Sequence, residues 1–183
     1  MSIEKKKDIR RSVRSAVNAM NDVDRSIQSA AVCNAALKHP LLQKAAVVAL
    51  FSPLPDEPDI SPLIDVLHEK CTVVLPRING DTMDFYLYSP QSMGCGSYGI
   101  NEPQCGEPID PSIIEVMLVP GVSFTRQCCR LGRGKGYYDR YMSLAGFRAY
   151  RIGVCYRQQI VGSLPVEEHD IRMDEILSPG TDI

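Results

Sequence analysis

Residues 45–76 read AAVVALFSPLPDEPDISPLIDVLHEKCTVVLP, and their periodicity changes twice. AAVVALF (45–51) is a continuous apolar run too short for a core helix, which predicts a buried strand. SPLIDVLHEK (61–70) places Leu63, Ile64 and Leu67 on one helical face, with Ser61 expected as the N-cap and Pro62 at the first helical position. CTVVLP (71–76) is again short, apolar and β-branched. Strand, helix and strand within about thirty residues make a βαβ unit, whose strands pair in parallel.

The same alternation continues outward. Residues 4–20 predict an amphipathic helix with Ile9, Val13, Val17 and Met20 on one face, while Lys6, Arg10 and Arg14 recur every four residues on another. A second helix is expected from about Asp24 to Lys38, stopped by Pro40. DTMDFYLYS (81–89) reads as an edge strand or hairpin arm, followed by a Gly/Pro-rich loop through Pro111. IIEVMLV (113–119) reads as a buried strand broken by Pro120 and Gly121, a helix can start after Gly136, and AYRIGVCY (149–156) returns to strand. The expectation is a single-domain, three-layer α/β/α fold with a mostly parallel central sheet, covering residues 1–183. Ligands of such sheets bind outside the carboxyl ends of the strands. The loops at 52–60, 94–103 and 120–137 would meet there.

A chain of 183 residues, 44% apolar and 23% charged, suits one soluble domain. Its net charge of -2 and pI near 5.9 give no global attraction to nucleic acid or an anionic membrane. MSIEKKKDIRRS at the start is charged where a secretory signal would be apolar, so a cytoplasmic protein with no membrane and no nucleic-acid partner is expected. Seven cysteines form no CxxC pair and the three histidines are scattered, which favours reduced structural thiols over a metal site. Cys128 and Cys129 are given no catalytic role.

Two glycine motifs fail on context. GCGSYG (94–99) matches GxGxxG, but no buried strand leads into it and Pro103 opposes the helix that should follow. Ser97 is not a nucleophile elbow, because the residue two before it is Cys95. RLGRGKGYYD (130–139) fits its context better. Glycines 132, 134 and 136 let backbone N–H groups turn toward an anion while Arg133 and Lys135 supply charge. It lacks the spacer and the Ser/Thr of a Walker A loop, and taken alone it could also be a solvated basic turn.

VPGVSFTRQCCRLGRGKGYYDRYM (119–142) closely resembles the signature of the 5-formyltetrahydrofolate cyclo-ligase, or methenyltetrahydrofolate synthetase, family, which reads close to PGxxFDxxGxRLGxGxGYYD. Further landmarks occur in order: KKDIR (6–10), PDEPDISPLI (55–64), VVLPR (73–77), YGINEP (98–103) and HDIRMDEIL (169–177). The resemblance therefore spans nearly the whole chain. Two positions depart from it, Thr125 where the family commonly has Asp and Cys128 where it commonly has Gly.

The resemblance implies an enzyme that uses ATP and Mg²⁺ to close 5-formyltetrahydrofolate, polyglutamylated forms included, to 5,10-methenyltetrahydrofolate, releasing ADP and phosphate. It implies that Lys6 and Arg10 reach the nucleotide phosphates, and that Arg130, Leu131, Gly132, Arg133, Gly134, Lys135, Gly136, Tyr137 and Tyr138 wrap the nucleotide. Lys135, Arg133 and Tyr137 would act on the transferring phosphoryl group, and Asp139 and Asp174 would hold Mg²⁺. Ser52 and Glu57 would face the pterin, with Tyr98, Gly99, Ile100, Asn101, Glu102 and Pro103 lining the folate pocket. A monomer is expected. A phosphosugar or CoA-ester enzyme on a similar sheet would leave YGINEP and Glu57 unexplained, and the acidic pI opposes a non-enzymatic RNA-binding module.

Overall fold

The computed structural model describes residues 2–96 and 99–180. Its centre is a six-stranded sheet built from β1 (Val47–Ala49), β2 (Thr72–Asn79), β3 (Thr82–Leu87), β6 (Val116–Pro120), β9 (Tyr150–Val154) and β10 (Glu175–Leu177), in the order β10-β9-β6-β1-β2-β3. All neighbours are parallel except the β2–β3 hairpin at one edge. Two small ladders lie outside it: β4 (Met93–Cys95) with β5 (Asn101–Pro103), and β7 (Ser123–Phe124) with β8 (Arg130–Leu131).

Side-chain alternation explains the layers. Val48, Leu50, Val73, Leu75, Val116 and Leu118 point to one face, where they pack on α2 (Asp22–Lys38), α3 (Pro40–Lys44) and α4 (Ser61–His68). Ala49, Val74, Met117 and Val119 point to the other, against Phe85, Phe124 and Tyr141–Met142 of α5 (Tyr137–Met142). The α1 helix (Ser2–Asn18) lies at the carboxyl rim, burying Val13 and Val17 against Val122 and Tyr156. Helices on both faces of a mostly parallel sheet make this the three-layer α/β fold expected.

The differences from expectation are local. Ile60 rather than Ser61 caps α4, and Asp59 Oδ1 accepts from the Ser61 N–H at 3.0 Å, which moves Ser61 and Pro62 into the first turn. α2 begins earlier, because the Asn21 side chain caps it by accepting from Asp24 N. His39 caps the short α3 beyond the Pro40 stop, and β10 is a strand that no sequence pattern announces.

The chain crosses from one side of β1 to the other between β2–β3 and β6, so the order reverses between β1 and β6. The loops leaving the carboxyl ends of these two strands diverge and open a crevice there.

Candidate active site

The crevice holds a cavity of about 730 Å³. Its walls come from one face of α1, the loop after β1, the β2–β3 hairpin, the glycine loop 130–136 and the segment 167–170. At one part of the wall sit the apolar side chains of Phe51, Pro76, Ile78, Met83 and Ile100, and elsewhere a concentration of cations.

The glycine loop is held by short local contacts. β8 pairs back onto β7, so the chain re-enters the rim beside the end of β6. Arg130, its side chain only 5% exposed, donates from Nε to the Pro120 carbonyl at 2.9 Å and from Nη1 to Asp139 at 3.3 Å. It thus pins the strand end to the start of α5. Gly134 (φ 106) and Gly136 (φ 69) take backbone conformations that side chains rarely adopt, which is why the basic loop is interrupted by glycine. Tyr137 donates to the Gly80 carbonyl at 3.1 Å and Arg140 to the Asp81 carbonyl at 2.8 Å, tying the loop to the β2–β3 turn.

Opposite the loop, Lys6, Arg10 and Arg14 face the cavity from successive turns of α1. Arg10 Nε donates to the Gly132 carbonyl at 2.8 Å, and its guanidinium lies against Gly134. Burial and the neighbouring Arg14 charge both press the Arg10 pKa down, as crowding of like charges does. Lys6 is buried with Asp170 at 2.7 Å and Glu167 at 3.0 Å. Burial lowers its pKa, but the hydrogen bonds to Asp170 and Glu167 outweigh that and raise it overall. The Lys135 side chain is exposed and makes no hydrogen bond or ion pair among the described residues, so it is free to meet a ligand.

Arg133 bridges to the loop after β1. Its Nη2 bonds Asp56 Oδ1 and, at 2.8 Å, Glu57 Oε1; Nη1 donates to Asp56 Oδ2 and Nε to Glu57 Oε1, both at 3.1 Å. Glu57 is only 5% exposed, and its Oε2 accepts from the Leu54 N–H at 3.0 Å. Burial pushes the Glu57 carboxyl up more than the Arg133 charge draws it down. Asp56 shows the reverse balance: burial raises it, but the hydrogen bonds and charge of Arg133 hold it below the usual carboxylate range.

Among the expected folate contacts, Ser52, Glu57, Ile100 and Glu102 line this cavity. Ser52 Oγ donates to the Asn101 carbonyl at 2.6 Å, joining the loop after β1 to the β4–β5 hairpin. Gly99 and Asn101 instead line a neighbouring groove of about 1090 Å³ under α2 and α4. Pro103 is buried on neither wall, its carbonyl accepting from Arg77, and Tyr98 lies outside the described residues. Leu131, Gly132, Gly136, Tyr137 and Tyr138 all face the cavity with the rest of the loop.

The metal expectation needs a correction. Asp139 lines the cavity, accepting from Arg130 and from the Ile171 N–H at 3.2 Å. Asp174 does not. Its carboxylate is taken by Arg151, from N at 2.8 Å, Nε at 2.8 Å and Nη2 at 2.7 Å, and Arg151 sits at the amino end of β9, away from the carboxyl rim. The acid that reaches the rim from this segment is Asp170, four residues earlier, beside Glu167 and His169. Arg14, Glu167 and Asp170, which line the cavity, and Asp56, which bonds Arg133 beside it, were not among the residues expected there. Only Arg14 had a signal, the four-residue spacing it shares with Lys6 and Arg10.

Of the two departures from the family signature, Cys128 has φ 63, a left-handed conformation that favours glycine. The turn forms nonetheless. Cys128 N donates to the Thr125 carbonyl at 3.0 Å, and Thr125 Oγ1 accepts from Cys129 N at 3.2 Å, where a carboxylate oxygen could act alike.

Residues 2–179 match the model of the 5-formyltetrahydrofolate cyclo-ligase family. The chain belongs to that family. It is 26% identical to the 5-formyltetrahydrofolate cyclo-ligase of Mus musculus, over 94% of this chain and 92% of that protein. It is 29% identical to the probable 5-formyltetrahydrofolate cyclo-ligase of Schizosaccharomyces pombe, over 96% and 95%. The NMR structure of Aquifex aeolicus 5,10-methenyltetrahydrofolate synthetase superposes with a TM-score of 0.87 at 31% identity, covering 96% of this chain and 90% of that one. Fold and family therefore agree with the resemblance read from residues 119–142.

Proposed function

We propose that the crevice binds ATP beside 5-formyltetrahydrofolate and closes the folate to 5,10-methenyltetrahydrofolate, releasing ADP and phosphate. The observation that carries this is the meeting, in one cavity, of the cations of α1, the glycine loop and the buried Glu57. The triphosphate lies between Lys6, Arg10 and Lys135, with loop backbone N–H groups turned to it. From Ile3 to Arg14 the helix rises about 16 Å, roughly the length of an extended nucleotide. With the terminal phosphate near Arg133, the base lies toward Ile3 and His169.

The pterin enters the apolar part of the cavity, where Pro76, Ile78, Met83 and Tyr137 offer flat contact and the Glu57 carboxylate a hydrogen-bond acceptor. The N5-formyl oxygen, amide-like and a poor leaving group, attacks the γ-phosphorus and ADP leaves. N10 then adds to the activated formyl carbon, loses its proton, and phosphate departs with the former formyl oxygen. Lys135 and Arg133 stabilise charge on the phosphoryl group in flight, which is a matter of position and electrostatics. No protein nucleophile is needed: buried Cys155 and Cys33 have raised thiol pKa values, and half-buried Cys128 likewise.

Mg²⁺ fits the donors present, since Asp139 and Asp170 supply hard carboxylate oxygens on the cavity wall close to the phosphate cations. When bound, it would neutralise charge on the phosphate oxygens. The protein acts as a monomer in the cytoplasm; among the described residues no helix is long and apolar enough to cross a membrane. The test is isotopic. Heavy oxygen in the formyl group should leave in inorganic phosphate, whereas full turnover with unlabelled phosphate would overturn direct activation by ATP.

A further inference from the structure

Arg133 has five N–H donors, and in this state four are already used: one from Nε and one from Nη2 on Glu57, one from Nη2 and one from Nη1 on Asp56. A guanidinium binds a phosphoryl group through two parallel N–H bonds. Both of its bidentate edges are occupied here, the side edge by Glu57 and the end edge by Asp56. For Arg133 to serve a phosphoryl group, one carboxylate has to leave.

The two are not equally held. Glu57 is 4% exposed at the side chain and anchored a second time by Leu54 N, so leaving Arg133 would strand a buried charge. Asp56 is 23% exposed and sits on the same loop one residue earlier. A second receptor waits beside it. Arg14 Nε is buried without a hydrogen-bond partner, and it lies 3.9 Å from Asp56 Oδ2, just beyond bonding distance. A buried unpaired donor is costly, and a small swing of the Asp56 carboxylate would satisfy it. The structure therefore contains both ends of an exchange.

We propose that Asp56 is a positioning residue that holds Arg133 in the empty site, that the terminal phosphate of the nucleotide displaces it from the end edge of the guanidinium, and that Arg14 receives the freed carboxylate. Asp56 stands in for the γ-phosphate until ATP arrives. Glu57 stays on the side edge throughout, so Arg133 does not drift when its partner changes. The exchange rests on the proposed nucleotide site and adds to it a discrimination: ADP, lacking the third phosphate, leaves Asp56 where it is.

Calorimetric titration of the full chain with Mg·ATP and with Mg·ADP tests this. Asp56→Asn keeps the shape but weakens the competitor, so ATP should bind about fivefold tighter, the scale of a partly exposed ion pair, while ADP affinity changes less than about twofold. Arg14→Gln should weaken ATP by a similar factor and spare ADP. In the Asp56→Asn background Arg14→Gln should have little further effect, since no displaced charge needs a receptor. Equal shifts for ATP and ADP, or no tightening in Asp56→Asn, would overturn the exchange. An equal Arg14→Gln effect with and without Asp56 would show that Arg14 meets phosphate directly, and would overturn its part. Should the amide variant fail to fold, Asp56→Ala takes its place, and the Arg14→Gln effect is compared with and without Asp56 in that background. If the wild-type chain binds neither nucleotide, the nucleotide site itself falls; if it binds both and the variants shift them alike, only the exchange does.

Discussion

Replacing Arg133 by Met keeps the aliphatic stem and removes the charge that faces Glu57. The cost depends on pH, because the stranded Glu57 carboxyl is buried and can escape only by taking a proton. Breaking a buried pair by removing one partner costs about 3–5 kcal/mol. Protonation caps that cost at the free energy of protonating a carboxyl of ordinary pKa, roughly 5 kcal/mol at pH 8 but only about 1.6 kcal/mol at pH 5.5. Since Arg133 is itself partly exposed, the lower end applies, about 3 kcal/mol at the higher pH. In the variant the folded-state pKa of Glu57 lies above its unfolded value. The penalty is therefore absent below the unfolded pKa and grows as pH rises toward the folded one. For a chain of 183 residues, 3 kcal/mol lowers Tm by about 6–12 °C, and the loss should shrink to about half or less at the lower pH. Thermal unfolding followed by circular dichroism at the two pH values reads this directly. Arg133→Met/Glu57→Gln, which leaves without its partner only the more exposed Asp56 carboxylate, should recover most of the loss at the higher pH. An equal fall in Tm at both pH values, with no recovery in the double variant, would refute the assignment of Glu57 as a buried carboxylate held by Arg133.

Lys135→Ala should leave Tm unchanged, since the side chain is exposed, yet lower turnover by about 10²–10³-fold, as loss of one preorganised charge does; unchanged turnover would remove Lys135 from the site. Asp139→Asn and Asp170→Asn should each raise the Mg²⁺ concentration for half-maximal activity, whereas Asp174→Asn should not. Asp174→Asn should instead lose stability: burial raises its carboxyl pKa, but the Arg151 bonds lower it further, so its contribution is present near neutral pH and disappears as pH falls through the depressed pKa. Wild-type and Asp174→Asn melting curves should therefore converge in acid. Cys128→Gly should raise stability by about 0.5–1 kcal/mol in a denaturant titration, as relief of the left-handed backbone exceeds the entropy that glycine adds.

The parallel sheet was legible because its strands are buried on both faces and so read as short apolar runs, 45–51, 71–76, 113–119 and 149–156. β10 was not, since three residues carry no period. The basic face of α1 and the glycine loop were legible for a similar reason: helical spacing and positive-φ glycines leave a mark in sequence. The acids were harder to place. Asp170 and Asp174 lie on an irregular segment that descends from the carboxyl rim, where Asp170 meets Lys6, to the amino end of β9, where Asp174 meets Arg151. Four residues of extended chain cover about 13 Å, and nothing in DIRMD tells which end faces the cavity. Asp56 was hidden differently. Beside Glu57 in an acidic loop it resembles a solvated charge, and only its approach to Arg133 and Arg14 gives it a part.

Absorbance of the methenyl chromophore, monitored after mixing the protein with 5-formyltetrahydrofolate, Mg²⁺ and ATP, tests the central claim most directly. The account predicts a rise that requires all three, with one phosphate released for each methenyl group formed, and that falls with Lys135→Ala. A signal of equal rate without ATP, or no signal from folded protein with every component present, would contradict it.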